Sequence, residues 1–92
     1  MEMVFENREG AWVSEFEVSG DFNLHIEGVL EGNVRVYQRS VSSGNYALVR
    51  DAMIYPSYDR VFDFDFTALV YPKWIKVVSE SEPTMAVVTF NA

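Results

Sequence analysis

The 92-residue chain contains no cysteine and a single histidine. The first absence excludes disulfides, thiolate metal sites and a cysteine nucleophile. The second leaves His25 without the His or Cys partners that a zinc site or a nucleophile–base pair needs, so a solvated surface histidine is expected there. Basic residues are scarce as well, seven against fourteen acids, for a net charge of −7. Such a balance disfavours nucleic acid, whose binding depends on Lys and Arg neutralising phosphates, and it equally disfavours anionic membrane surfaces. It leaves a basic protein surface as a suited partner, beside the plain function of keeping the protein soluble. No apolar run approaches the roughly 20 residues of a membrane span. No apolar stretch follows a basic N-terminal segment, so no signal peptide is expected. Ser40, Ser42 and Ser43 lie in a turn with no plausible base, and neither a G-x-S-x-G elbow nor a glycine-rich phosphate loop is present. The sequence therefore points to no enzyme and calls for no cofactor.

What is present is apolar and aromatic. Hydrophobic residues make up 49% of the chain and aromatics 15%, the composition of a folding sequence. The length suits one domain, which at this size buries about 60–65% of its unfolded surface. Oligomerisation or docking on a larger body would relieve the limited stability that follows.

The stretch Val61-Phe62-Asp63-Phe64-Asp65-Phe66 alternates apolar and acidic residues strictly. That is the period of a half-buried β-strand, with Phe62, Phe64 and Phe66 on one face and Asp63 and Asp65 on the other. The rings need a second apolar layer, which predicts two sheets packed over an aromatic core. Asp63 and Asp65 share a face and could in principle bind calcium or act as an acid–base pair. They lack the glycine and terminal glutamate of an EF-hand loop, and a solvated or ion-paired face is the expectation.

Residues 1–10 read as an arm or edge strand, with Met3, Val4 and Phe5 set among glutamates and Gly10 ending the segment. As an arm it would dock on a neighbour through Met3 and Phe5. Residues 11–92 read as one β-sandwich domain. Ala11–Val18 is a strand with Trp12, Ser14, Phe16 and Val18 on one face. Phe22–Glu27 is a second, with Phe22, Leu24 and Ile26 inward and Asn23, His25 and Glu27 outward. A two-residue Ser19-Gly20 loop would pair Phe16 with Asn23 and mix the faces. Either the loop has three residues or the two strands lie in opposite sheets, because a one-residue slip inverts every side chain.

Further strands are expected at Asn33–Arg39, Tyr46–Arg50, Lys73–Val78 and Thr84–Phe90. Val34 and Val36 point inward, and the buried face of residues 46–50 is ambiguous. Pro56 removes a backbone donor from the irregular stretch 51–60, where Tyr55 and Tyr58 read as partly exposed. The total is seven strands, eight with the arm, about 8–12 residues apart, which fits an all-β antiparallel sandwich or jelly roll. With Ile75 and Val77 inward, Trp74 points outward beside Lys76, and Tyr37 lies outward between Arg35 and Arg39. Tyrosine, tryptophan and arginine together are what binding surfaces prefer.

From Phe16 onward the order of motifs resembles that of small virion proteins of tailed bacteriophages. The matching pieces are Phe22-Asn23-Leu24-His25-Ile26-Glu27-Gly28, then Gly32-Asn33-Val34-Arg35-Val36-Tyr37-Gln38-Arg39-Ser40, then Ser42-Ser43-Gly44-Asn45-Tyr46-Ala47-Leu48-Val49, and finally Tyr71-Pro72-Lys73-Trp74-Ile75-Lys76-Val77-Val78-Ser79. The chain departs from that pattern in having Ser-Gly-Asn where those proteins have an Asp-Gly-Gly turn, and few glycines near its C-terminal turn. The resemblance implies a capsid decoration (cement) protein, or a tail, baseplate or fibre component, that works without a cofactor. It would bind other virion proteins, often as a symmetric homo-oligomer such as a trimer, after assembly in a bacterial cytoplasm. Met3, Phe5, Trp12, Tyr37 and Trp74 are the candidate partner-binding residues. A small carbohydrate-binding module, in which exposed Trp and Tyr stack on sugar rings, is the alternative that the tyrosines between Tyr55 and Tyr71 favour.

Overall fold

The computed structural model describes residues 1–29, 32–53, 61–67 and 70–90. Tyr55, Tyr58 and the remainder of the stretch 54–60 lie outside them. Among the described residues eight strands form: β1 Glu6–Arg8, β2 Ala11–Val18, β3 Phe22–Glu27, β4 Asn33–Arg39, β5 Ala47–Met53, β6 Val61–Phe66, β7 Lys73–Ser79 and β8 Met85–Phe90. They make a five-stranded sheet ordered β1-β2-β7-β4-β5 and a three-stranded sheet ordered β6-β3-β8, with every pairing antiparallel. The two sheets pack face to face as an all-β sandwich.

Each inner face is built from alternate residues, because cross-strand partners share a face. In the three-stranded sheet Phe22, Leu24 and Ile26 pair with Phe66, Phe64 and Phe62 on one side. On the other side they pair with Phe90, Val88 and Ala86. In the five-stranded sheet Ser14, Phe16 and Val18 meet Val77, Ile75 and Lys73, and Val36 and Val34 meet Val77 and Ser79. Leu24, Ile26, Val34, Val36, Val77 and Val88 are wholly buried. Fully burying such side chains contributes about 1.5–3 kcal/mol each. The rings fill one end of this core: Phe22 stacks on Phe66 at 5.0 Å, and Phe16 meets Phe22 edge-on at 6.2 Å.

The alternation in Val61–Phe66 holds, but the strand lies at a sheet edge; the middle strands are β3 and β7. Outward aspartates on an edge strand oppose edge-to-edge association. β2 and β3 are not hairpin partners. They belong to opposite sheets, which is the arrangement that keeps both of their apolar rows inward. The inward row of β7 also contains Lys73, 7% exposed, whose ammonium donates to Ser40 Oγ while its stem lies in apolar surroundings. The ambiguity at residues 46–50 has a cause: a bulge breaks the two-residue period. Val36 pairs with Arg50 but Tyr37 with Leu48, so Val49 is the extra residue.

Residues 1–10 cross from one sheet to the other. Met3 N–H donates to the Ala86 carbonyl, Val88 N–H to the Met1 carbonyl, and Glu2 bridges Val87, so the start of the chain lines β8. β1 then pairs with β2 in the other sheet. The turn between them is a two-residue hairpin with Glu9 (φ 54°) and Gly10 (φ 87°) both left-handed, the geometry that matches strand twist. Met3 sits in the core at 9% exposure and Phe5 packs against it. Of the two readings of residues 1–10, the edge strand is the one seen, in β1, and Met3 and Phe5, expected as docking anchors of an arm, are packed against the chain's own core instead.

Candidate binding faces

The outer face of the five-stranded sheet is a grid that the register dictates. One cross-strand row runs Val13, Val78, Arg35 and Asp51; the next runs Glu15, Lys76, Tyr37 and Leu48; the third runs Glu17, Trp74 and Arg39. Tyr37 and Trp74 therefore point outward together, both half-buried. Trp12 does not join them. It pairs with Ser79 on the opposite, inward row, near β1.

Tyr46 completes the grid. It follows the Ser42-Ser43-Gly44-Asn45 turn and reaches back over the sheet, so that its hydroxyl donates to Glu15 Oε2 at 3.0 Å. Lys76 Nζ lies 4.8 Å from the ring centres of both Tyr37 and Tyr46, and the Arg39 guanidinium lies 4.5 Å from that of Tyr46. Cations over aromatic faces at such distances attract, by about 0.5–1 kcal/mol where exposed. Arg8 joins Glu15 from β1. The Glu15 carboxyl is held below its usual range, first by the Arg8 guanidinium and then by the Tyr46 hydroxyl, against the opposing effect of partial burial. Residue identity alone hides Tyr46; the turn chemistry just before it is the one local hint that its ring would start a strand.

The outer face of the three-stranded sheet is different. Asn23, His25 and Glu27 pair across to Asp65, Asp63 and Val61, and on the other side to Thr89, Val87 and Met85. Asn23 Nδ2 donates to Asp63 Oδ1 at 2.5 Å and to Asp65 Oδ1 at 2.9 Å. His25 Nδ1 is 2.9 Å from Asp63 Oδ2, and Nε2 is 2.6 Å from Glu27 Oε2. Hydrogen bonds to Glu27 and then Asp63 raise the His25 pKa above its ordinary value, against slight desolvation. Asn23 and then His25 hold the Asp63 carboxyl below its own. Five side chains thus form one continuous chain of hydrogen bonds, Glu27–His25–Asp63–Asn23–Asp65. Among the described residues, no group of three or more His, Asp or Glu side chains is arranged to hold a metal ion.

That chain ends at a depression of about 320 Å3, lined by Asp21, Asn23, Asp65, Thr67, Thr89 and the half-exposed Phe90. Asp21 is fixed by the Tyr71 hydroxyl, which donates to it at 2.7 Å. Burial, with Asp21 adding, pushes the Tyr71 phenol up to about 12. Rich in acceptors and without Lys or Arg, the lining suits an uncharged or cationic ligand that brings hydrogen-bond donors. No protein-family model, curated protein or solved structure matches this chain.

Proposed function

We propose that this chain is a non-catalytic binding module that docks on another protein through the outer face of its five-stranded sheet. The observation that carries this is the contiguous array of Trp74, Tyr37 and Tyr46 with Lys76 and Arg39, half-buried and pre-ordered by contacts within the sheet. Aromatic and arginine side chains that are already ordered lose little entropy on association, which is why they dominate interface energetics. We further propose that the partner is a virion shell and the chain a capsid decoration protein. The order of motifs from Phe16 onward supports this, as does an all-β sandwich of the expected strand number. Its action is mechanical: many copies bridge neighbouring capsid subunits, and their summed interfaces oppose internal pressure. A tail, baseplate or fibre site would use the same face.

The test mixes purified protein with undecorated particles at low and moderate salt. Saturable binding that Trp74→Ala weakens is expected, and no binding at either salt sinks the proposal. Light scattering at several concentrations adds the assembly state, since shell sites lie on symmetry axes and favour trimers or larger rings.

A second reading, a small carbohydrate-binding module, is favoured by the acceptor-lined depression beside Phe90. Its hydroxyls, carboxylates and amide could bond sugar hydroxyls while the ring offers an apolar platform. A glycan array with no hits rejects it. A hit retained by Asp65→Asn rejects the depression as its site.

A further inference from the structure

His25 stands in the middle of the outer row Glu2, Val87, His25, Asp63. Its own strand presents Glu27, and edge strand β6 presents Asp63 with Asp65 two residues beyond. β8 presents only the uncharged Val87, Thr89 and Met85, and Glu2 lies one strand past Val87. Among the described residues, every charged side chain in these rows is therefore an acid.

Both ring nitrogens face carboxylate oxygens, at 2.9 Å on Asp63 and 2.6 Å on Glu27. A neutral imidazole has one N–H and one lone pair. In either tautomer one nitrogen would set its lone pair against a carboxylate. Only the imidazolium donates in both directions at once.

We propose that His25 is a proton-operated lock that fastens edge strand β6 to β3, closed when the ring is an imidazolium and half-open when it is neutral. β6 is the strand that needs such a fastening. Among the named strands it pairs with β3 alone, so beyond the packing of Phe62 and Phe66 its attachment rests on one ladder and on the side-chain bonds that Asn23 makes to Asp63 and Asp65 and His25 to Asp63. When the proton leaves, one of the two carboxylates loses its donor. In the tautomer that keeps its N–H on Glu27, the shorter of the two contacts, Asp63 keeps only Asn23, and the chain of bonds is cut between His25 and Asp63.

The direction with pH follows. A group whose pKa is raised by folding contributes stability that is fully present below its unfolded value. That contribution is lost as pH rises through the folded value. β6 should therefore loosen on the alkaline side, opposite to the acid loosening expected of an ordinary surface carboxylate.

The chain has one histidine, so its ring resonances need no assignment. The experiment is an NMR titration of the His25 ring in the wild-type protein, with amide-exchange protection factors for β6 across the same range. Protection factors are used because they remove the intrinsic pH dependence of exchange. A ring midpoint above that of a free imidazole is expected, with β6 protection falling about two- to fivefold through it, the scale of an exposed ion pair. Asp63→Asn and Glu27→Gln should each lower the midpoint, and His25→Gln should abolish the step in β6 protection. A midpoint at or below the free imidazole value overturns the proposal. So does β6 protection that is flat through the titration.

Discussion

On the outer face of the five-stranded sheet, cations lie over aromatic rings. On the outer face of the three-stranded sheet, carboxylates are strung together by one amide and one imidazole. The first face carries Arg8, Arg35, Arg39 and Lys76 among Glu6, Glu15, Glu17 and Asp51, so its charges cancel locally. Among the described residues the second carries Glu2, Glu27, Asp63 and Asp65 with no Lys or Arg in its rows. The same alternating pattern that makes the two inner faces alike thus leaves the outer faces free to differ. The difference underlies the proposed roles: an aromatic, internally neutralised face can be desolvated against a partner at low electrostatic cost. An acidic face is better left in water, where its negative charge keeps copies apart.

The comparison can be broken first where it should vanish. Leu24→Ala in β3 and Ile75→Ala in β7 empty the centre of each inner face, and each should cost about 3 kcal/mol by chemical denaturation. A loss confined to one sheet would mean that the sandwich does not unfold as a unit. The next effect is on association. Trp74→Ala should weaken partner binding by about 2 kcal/mol with an unchanged melting temperature, while Asp65→Asn on the other face leaves that binding intact. Equal effects would dissolve the distinction between the faces. Tyr71→Phe removes the bond to Asp21 and should lower the melting temperature slightly, with the wild-type phenol titrating near 12 by ultraviolet difference absorption.

The smallest effect is acid sensitivity on the aromatic face. The folded Glu15 pKa is depressed, so its contribution is present above the unfolded value and lost as pH falls through the folded one. Glu15→Gln should remove about 0.5 kcal/mol at neutral pH and nothing at low pH, as denaturation midpoints across a pH series would record.

Much of this was legible in the chain, because β-strand periodicity is local. Phe62, Phe64 and Phe66, and Phe22, Leu24 and Ile26, declare their face by alternation, whereas residues 73–78 alternate without showing which of their two faces is buried. The conflict of faces in a Ser19-Gly20 hairpin left opposite sheets as one of two solutions for β2 and β3. Tyr37 could be placed outward for the same reason, and Trp74 only on the condition that Ile75 and Val77 face inward. The bulge at Val49 was not legible, since an extra residue leaves no mark on composition. Nor was the burial of Lys73, whose ammonium finds Ser40 only after β7 has been set between β2 and β4.

By itself, then, the sequence determined the inward rows of Phe22–Glu27 and Val61–Phe66, that the sheets are antiparallel and two in number, and that no thiol or multi-histidine chemistry is possible. Tertiary structure decided the rest. It placed Val61–Phe66 at an edge, drew Met3 into the core between β8 and β2, laid Tyr46 across Lys76, and set His25 between Asp63 and Glu27. Each of those outcomes joins residues far apart in the chain. Such contacts depend on strand order, which alternation within any one strand does not encode.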